Sequence, residues 1–288
     1  MIPPSFDYHA PRSLGEALSL LSNLGSEAKL LAGGHSLLPM MKLRFAQPAH
    51  LIDLTRVADL RGIREEGTEV VVGAMTTEAE LIASQLIRSK VPLLTEGASS
   101  IADPQVRYKG TIGGDISHGD PGNDHPALMI ALDATFVLTG PKGARKVKAD
   151  GYFLGLYSTQ LAPGEILTEI RIPTPPPGTG WSYQKLKRKT GDFATAATAV
   201  LLQIKGGNVA KVAIALTNLA QTALKAKAAE ASLTGKPLNE ASLNEAARLA
   251  MSICKPTEDQ RGDASYKTAM CGEMTRRALQ AAAARAKG

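Results

Sequence analysis

Two pairs of adjacent glycines, each with a hydroxyl beside it, are the residues whose type and spacing most readily do chemistry. The first pair lies in Leu30-Leu31-Ala32-Gly33-Gly34-His35-Ser36, an apolar run that ends in Gly-Gly and a serine. The second lies in Gly110-Thr111-Ile112-Gly113-Gly114-Asp115. Glycine lets the backbone approach a ligand closely, and successive free N–H groups in such a turn form a nest for a phosphate. Neither segment has the G-x-G-x-x-G order of a dinucleotide turn or the terminal Gly-Lys-Ser/Thr of a P-loop. Each alone is equally a tight turn that needs positive backbone angles. Two such turns together would grip both halves of a pyrophosphate without a lysine, which is what a dinucleotide requires.

Other reactive residue types support less. His118 and His125 lie near Asp115, Asp120 and Asp124, but their spacing is not that of ligands on one helix face, and no metal site is expected there. Cys254 and Cys271 are the only cysteines. They read as buried structural thiols, too few for a disulfide framework or for the four thiolates of an iron–sulfur cluster. Any metal redox centre must therefore lie on another chain. No Ser/His/Asp order or cysteine nucleophile stands out.

The elements that must hold the two glycine segments follow from local pattern. Ser13-Leu14-Gly15-Glu16 reads as a capping box, and Leu14, Leu18 and Leu21 continue one helical face towards Gly25. Leu30 to Ala32 reads as a strand, Leu37 to Leu43 as a short helix and Leu51-Ile52-Asp53 as a second strand. Beyond residue 55 come β-branched runs, Val70 to Val72, Ala134 to Leu138 and Ile166 to Ile172. Thr77-Glu78-Ala79-Glu80 opens a helix, as does Pro92. Residues 102 to 126, rich in Gly, Asp and Pro, read as a long structured binding loop. The proline run 173–180 is a linker, after which Val200 to Ile204 and Val209 to Leu216 form a hairpin around Lys205-Gly206-Gly207-Asn208. The rest is Ala-rich and helical, with a capping box at Ser242-Leu243-Asn244-Glu245 and a last helix from Asp263. The expected units are 1–54, 55–176 and 177–288, in an α+β chain whose last unit is a small antiparallel sheet plus helices.

The chain has 288 residues, 44% hydrophobic and 21% charged, an ordinary globular composition. It has no run near the roughly 20 apolar residues of a membrane span, and its N-terminus lacks a basic head and apolar core, so a cytoplasmic location is expected. The formal charge of +6 invites a nucleic-acid reading, but only 4% of residues are aromatic, which argues against a base-stacking surface. A basic, non-catalytic assembly or nucleic-acid module is the alternative class. The positive excess gathers in Lys185-Leu186-Lys187-Arg188-Lys189 and around Arg276, Arg277, Arg285 and Lys287, which offer either docking surface for partners or an anionic membrane, or a solvated face.

Ala32-Gly33-Gly34-His35-Ser36 together with Thr111-Ile112-Gly113-Gly114-Asp115 resembles the paired FAD-binding loops of the flavin subunits of molybdenum hydroxylases, the xanthine dehydrogenase family. The likeness extends over Ile101 to Arg107, Gly119 to Asp124 and Tyr183 to Arg188, and covers essentially the whole chain. Within the family it is nearest to the group that oxidises carbon monoxide; flavin subunits acting on xanthine, nicotinate, quinoline or aromatic acyl-CoA substrates are similar too. The resemblance implies a two-subdomain FAD-binding fold of the PCMH or vanillyl-alcohol-oxidase type. It implies that Leu31, Ala32, Gly33, Gly34, His35 and Ser36, with Thr111, Gly113, Gly114 and Asp115, hold the pyrophosphate and ribityl chain of FAD. Asp124 would hydrogen-bond the cofactor, Ile101 and Leu167 would pack against it, Lys185 would sit near the isoalloxazine and Phe193 would cover one flavin face. Two positions depart from the pattern: Phe193 where the group usually has Tyr, and Asp115 where xanthine dehydrogenase-type chains usually have Asn. The implied partners are a large molybdenum-cofactor subunit and a small [2Fe–2S] subunit in a doubled heterotrimer. A quinone or cytochrome would be the electron acceptor, and the complex would lie at the inner face of the membrane.

Overall fold

The computed structural model describes residues 2–287. Three main sheets follow one another along the chain, with a small two-stranded one, Phe153–Gly155 against Ser158–Thr159, between the second and the third. In the first, strands Asp7–His9 and Ala28–Leu31 flank His50–Asp53, and both pairings are parallel. Helix Leu14–Leu24 makes the crossover between the first two. Ser13 caps it by accepting from the Glu16 N–H, but the Glu16 carboxylate accepts from the Arg12 N–H, so the expected box does not close on its own cap residue. The helix stops at Gly25, whose φ of 56° suits glycine. Leu14, Leu18 and Leu21 pack on a core of Ala17, Ala28, Ile52, Leu54, Val57 and Leu60, which reaches Ile166 of the next sheet and Met75 in the turn after one of its strands.

The second sheet is antiparallel throughout, in the order Ile63–Glu66, Glu69–Gly73, Ile166–Pro173, Thr135–Gly140, Gly143–Lys148. Its last strand escaped the sequence pattern because it is an edge strand with Arg145, Lys146 and Lys148 turned to water. Helices Glu78–Ala83, Gln85–Lys90 and Pro92–Ser100 cover one face. Thr77 and Glu80 form the expected reciprocal capping box.

Residues 102–126 are not the long loop that their composition suggests. They contain helices Pro104–Arg107 and Ile112–His118 and the start of His125–Ala131. Asp103 and Thr111 supply N-caps for the first two, and Gly119, at φ 65°, ends the second in the left-handed region. A glycine pair inside a helix is unfavourable by propensity. Here packing overrides propensity, because a Cβ on Gly113 would lie 2.5 Å from the Cβ and carbonyl oxygen of Ala74.

The third sheet is antiparallel, in the order Gly180–Leu186, Ala196–Lys205, Asn208–Thr217, Leu224–Lys225. It lies between two cores. From strand Ala196–Lys205, Ala196, Val200 and Leu202 face helices Lys227–Leu233, Glu240–Ser252 and Ala264–Arg285, whereas Ala197 and Ala199 join the core of the second sheet. A strand covered on both faces reads as a nearly continuous apolar run, as Ala196 to Leu202 does with Thr198 its one polar residue. Helix Glu240–Ser252 begins three residues before the expected Ser242 cap: Asn239 is the cap, and Ser242 closes the box on it. Among the described residues no helix is long and apolar enough to cross a membrane.

Candidate functional site

The two glycine segments meet. A Cβ placed on Gly33 would lie 2.2 Å from the carbonyl oxygen of Lys109 and 2.7 Å from the Cα of Gly110, and one on Gly114 would lie 3.4 Å from the Cβ of Ala32. Gly33 therefore serves the contact between the segments, and its missing side chain is filled by backbone rather than left for a ligand.

The two segments treat their N–H groups differently. At the start of helix Ile112–His118 every free donor has a partner in the fold: Ile112 donates to the Thr76 carbonyl, Gly113 to that of Ala74, Gly114 to the Thr111 Oγ1 and Asp115 to the Thr111 carbonyl, at 2.9–3.1 Å. The second segment is thus not the phosphate nest that paired glycines suggest. In the first segment, Gly34 has φ 75° and its carbonyl accepts from Leu38, but among the described residues the N–H groups of Gly33, Gly34, His35 and Ser36 have no acceptor in the chain. The His35 ring reaches the Gly33 carbonyl at 3.0 Å, and the Ser36 hydroxyl makes no cap to the helix that follows. This half-exposed turn, with Leu31 and Ala32 leading into it, offers unspent donors to an anion.

Below the second segment lies a buried ionic cluster. Glu78, 2% exposed, pairs with fully buried His125 at 2.8 and 2.9 Å, and the Glu78 backbone N–H donates to the Gly110 carbonyl. Burial opposes charge on His125, but the Glu78 carboxylate outweighs it and the imidazole is held up to about 9. Asp115 has a buried Oδ1 without any hydrogen-bond partner. Burial, countered by His125 and reinforced by Glu78, Asp124 and Asp120, pushes this carboxyl up to about 8. At neutral pH Asp115 is therefore largely a neutral acid, which does not repel a phosphate and can still exchange hydrogen bonds with hydroxyls.

A stability profile follows from these two groups. Both have folded pKa values above their unfolded ones, so below the unfolded values the folded form gains fully from holding the protons, and it loses that gain as pH rises. Thermal stability is expected to fall as pH rises from about 4, where the unfolded Asp115 carboxyl titrates, to about 9, with on the order of 3 kcal/mol of the loss coming from His125 above pH 6.5. Melting temperature measured across this range checks it, and Glu78→Gln should flatten the part of the slope above pH 6.5 while lowering stability at pH 6.

Asp124 and Lys185 form a second buried pair. The Lys185 Nζ lies 2.7 Å from Asp124 Oδ2, with side chains 4% and 5% exposed, and the Tyr183 hydroxyl donates to Asp124 Oδ1. Tyr183 also touches Thr217 at 3.3 Å. Lys185 is thus not a solvated strand charge, and both Asp124 oxygens already have partners inside the chain. Lys185, near the end of its strand, and Lys187, just beyond it, also point to the Ser100 carbonyl at 3.4 and 3.3 Å, while Arg107 Nη1 donates to the carbonyls of Ile101 and Ala102 at 2.7 and 3.3 Å. Three cations thereby hold the corner at Ala102, where φ is 43°. Ile101 sits half-buried at this corner.

The remaining expected residues fall at the edges. Leu167 is 4% exposed and shares the main core with Ile112. Phe193 is 46% exposed, beside Gly122 and 5.6 Å under the Arg261 guanidinium, which also binds Asp192 at 2.7 Å. His118 stacks on Tyr157 with ring centres 4.9 Å apart, far in role from the His125 pair. The basic stretches are largely engaged: Arg188 binds Asp192, Arg285 binds Glu96 and the Trp181 carbonyl, and Arg276 binds Glu240. Cys254 is half-buried rather than buried. Sequence reasoning missed Glu78, Tyr183, Arg107, Lys187 and Arg261 as contributors. Glu78 was legible only as a residue in a helix cap, and its burial arises from tertiary packing that leaves no local signal.

Free donors of the first segment, the Ser36 and Thr111 hydroxyls and the orphaned Asp115 Oδ1 form a polar rim suited to a ligand that joins phosphates to a polyhydroxy chain. A family model described as the FAD binding domain in molybdopterin dehydrogenase matches residues 4–175, and one described as the CO dehydrogenase flavoprotein C-terminal domain matches 181–282. Fold and site thus define an FAD-binding flavoprotein subunit of the molybdopterin dehydrogenase class. The chain is 61% identical to the carbon monoxide dehydrogenase medium chain of Hydrogenophaga pseudoflava, with 99% of each covered, and 55% identical to that of Afipia carboxidovorans over the full length of both. The solved carbon monoxide dehydrogenase from H. pseudoflava which lacks the Mo-pyranopterin moiety of the molybdenum cofactor superposes with a TM-score of 0.99 at 63% identity, covering 100% of both chains. The chain belongs to the family of carbon monoxide dehydrogenase medium chains.

Proposed function

We propose that this chain is the flavoprotein subunit of an enzyme that oxidises carbon monoxide with water to carbon dioxide, and that it carries electrons outward instead of reacting with substrate. The observation that carries this reading is identity of 61% and 55%, end to end, with two carbon monoxide dehydrogenase medium chains. With two cysteines, the chain lacks the thiolates for an ordinary iron–sulfur cluster, so the [2Fe–2S] centres belong to a small partner and the molybdenum cofactor to a large one, in a doubled heterotrimer. FAD supplies a group that accepts electrons singly and releases them in pairs. The acceptor is a membrane quinone or a cytochrome, reached by peripheral attachment of the complex.

Each part of the site then has a task. The N–H groups of Gly33 to Ser36 bind phosphate, and the Ser36 and Thr111 hydroxyls donate to neighbouring oxygens. Gly113 and Gly114 let the second segment come close, and neutral Asp115 exchanges hydrogen bonds with ribityl hydroxyls. The Asp124–Lys185 pair, backed by Tyr183, fixes the corner that carries Ile101 and supplies a polar contact to the cofactor. Leu167 supports the floor of the site, and Phe193, steadied by Arg261, covers a flavin face. The units of this assembly are 1–54, 55–176 and 177–288, a division supported by the fact that no sheet crosses either bound.

The test is the visible spectrum of the complex isolated from its native host with this chain as bait. Flavin bands overlaid by broad iron–sulfur absorption, bleached by carbon monoxide and restored by a quinone, are the expected result. Bleaching by a heteroaromatic substrate but not by carbon monoxide would assign the chain to another molybdenum hydroxylase, and a colourless chain would overturn the flavoprotein reading.

A further inference from the structure

The two cysteines take no part in the site above, yet the fold brings them together. Cys254 follows helix Glu240–Ser252, and Cys271 lies within helix Ala264–Arg285. Cys254 packs against the core that contains Cys271, beside the point where Met251 of the first helix meets Gly272 of the second, it shares hydrogen bonding with the Cys271 thiol, and its Sγ lies 3.3 Å from the Ala250 carbonyl. Their access to solvent differs. Cys271 is 0% exposed, whereas Cys254 lines a surface cavity of about 630 Å³ with Met251, Lys255, Pro256, Ser265 and Thr268. A small oxidant can therefore meet the first thiol and not the second. The bond between them favours the thiolate at Cys254 and, with burial, the thiol at Cys271.

We propose that Cys254 is a site of oxidation by hydrogen peroxide and that Cys271 is its resolving thiol. In the first step the Cys254 thiolate attacks one peroxide oxygen and the O–O bond breaks, giving Cys254 sulfenic acid and hydroxide. In the second, the Cys271 sulfur displaces the sulfenic oxygen, an S–S bond forms, and that oxygen leaves as water with the Cys271 proton. Two electrons leave the thiol pair and reduce one peroxide to two waters, once the hydroxide is protonated. The oxidant is the product that dioxygen forms at a reduced flavin, so its local source rests on the flavin reading, whereas the thiol chemistry does not. The bridge closes the loop that carries Arg261, the residue that holds Asp192 and stacks on Phe193. The oxidised pair is thus tied to the rim of the flavin site, and a dithiol reductant returns it to the starting state.

The experiment treats the full-length flavin-loaded chain with hydrogen peroxide and maps its peptides without reduction. The expected result is a linked Cys254–Cys271 peptide, both thiols disappearing together and both returning with dithiothreitol. In Cys271→Ser, dimedone should trap sulfenic acid on Cys254; in Cys254→Ser, Cys271 should react at least about tenfold more slowly than in the parent chain. Oxidation of Cys271 at an unchanged rate in Cys254→Ser would overturn the proposal, as would a parent chain that forms Met251 sulfoxide or Cys254 sulfinic acid with no linked peptide. The linked peptide is read in the parent chain, so the outcome does not depend on either variant folding. Loss of flavin from the preparation, with the link still formed by added peroxide, would count against the flavin reading alone.

Discussion

A Gly33→Ala chain is expected to emerge with little or no bound FAD and a lowered melting temperature. The added methyl would sit 2.2 Å from the Lys109 carbonyl oxygen and 2.7 Å from the Gly110 Cα, and both neighbours are backbone that no rotamer change can move aside. The two segments must separate, at a cost of about 1–3 kcal/mol for overpacking of this kind. The same movement displaces the free N–H groups of Gly33 to Ser36 from the Thr111 and Asp115 side, so cofactor affinity should drop by about tenfold to a hundredfold. The ratio of flavin to protein absorbance, measured beside thermal unfolding, checks both effects. Gly15→Ala is the matched control, since its Cβ would meet nothing within 4 Å. Equal flavin content in the two variants would remove Gly33 from the account of the site.

The largest loss of stability is expected from Lys185→Met. It leaves the Asp124 carboxylate 5% exposed, with the Tyr183 hydroxyl as its remaining partner. Breaking one side of a buried pair costs about 3–5 kcal/mol, because a charge stays behind in low dielectric. For a chain of this size that corresponds to a melting temperature lower by about 5–8 °C. Adding Asp124→Asn to Lys185→Met should recover a large part of the loss, since no buried charge remains. Lys187→Met is the comparison: its ammonium reaches the Ser100 carbonyl at 3.3 Å, and it should cost under about 1 kcal/mol. A Lys185→Met chain as stable as Lys187→Met would show that Asp124 finds water or a new donor.

Much of the architecture was legible where structure is decided locally. The strand, glycine turn, helix and strand from Leu30 to Asp53 follow from apolar runs punctuated by glycines, and the hairpin around Gly206 follows from two β-rich runs flanking a turn. Reading failed where distant packing decides. Gly113 looks like a turn former until Ala74 is seen to occupy the space of its missing side chain. The Lys185–Lys189 run looks like a surface patch because sequence cannot show that Asp124 and the Ser100 carbonyl lie opposite its inward face. Capping followed the same rule: Asn239 and Ser242 share a box three residues earlier than the Ser-x-x-Glu pattern suggests, because Asn caps as well as Ser does and Ser242 is drawn in as its reciprocal partner. In the candidate site the paired glycines drew attention to both segments, but only the hydrogen-bond partners distinguish the segment with free donors from the one whose donors are used.

The end of the last helix bears on how such a subunit can work. A Cβ on Gly180 would lie 1.9 Å from the Ala282 carbonyl oxygen, the Lys287 N–H donates to the Gly178 carbonyl at 3.0 Å, and Arg285 is bonded to Glu96 across the same seam. The chain therefore enters and leaves its final unit at one riveted point. A proline-rich connector would ordinarily suggest a hinge, but this one cannot open unless the terminal turn of the helix melts. The unit is a fixed mount and not a swinging arm, held in one orientation against the sheet and helices that precede it.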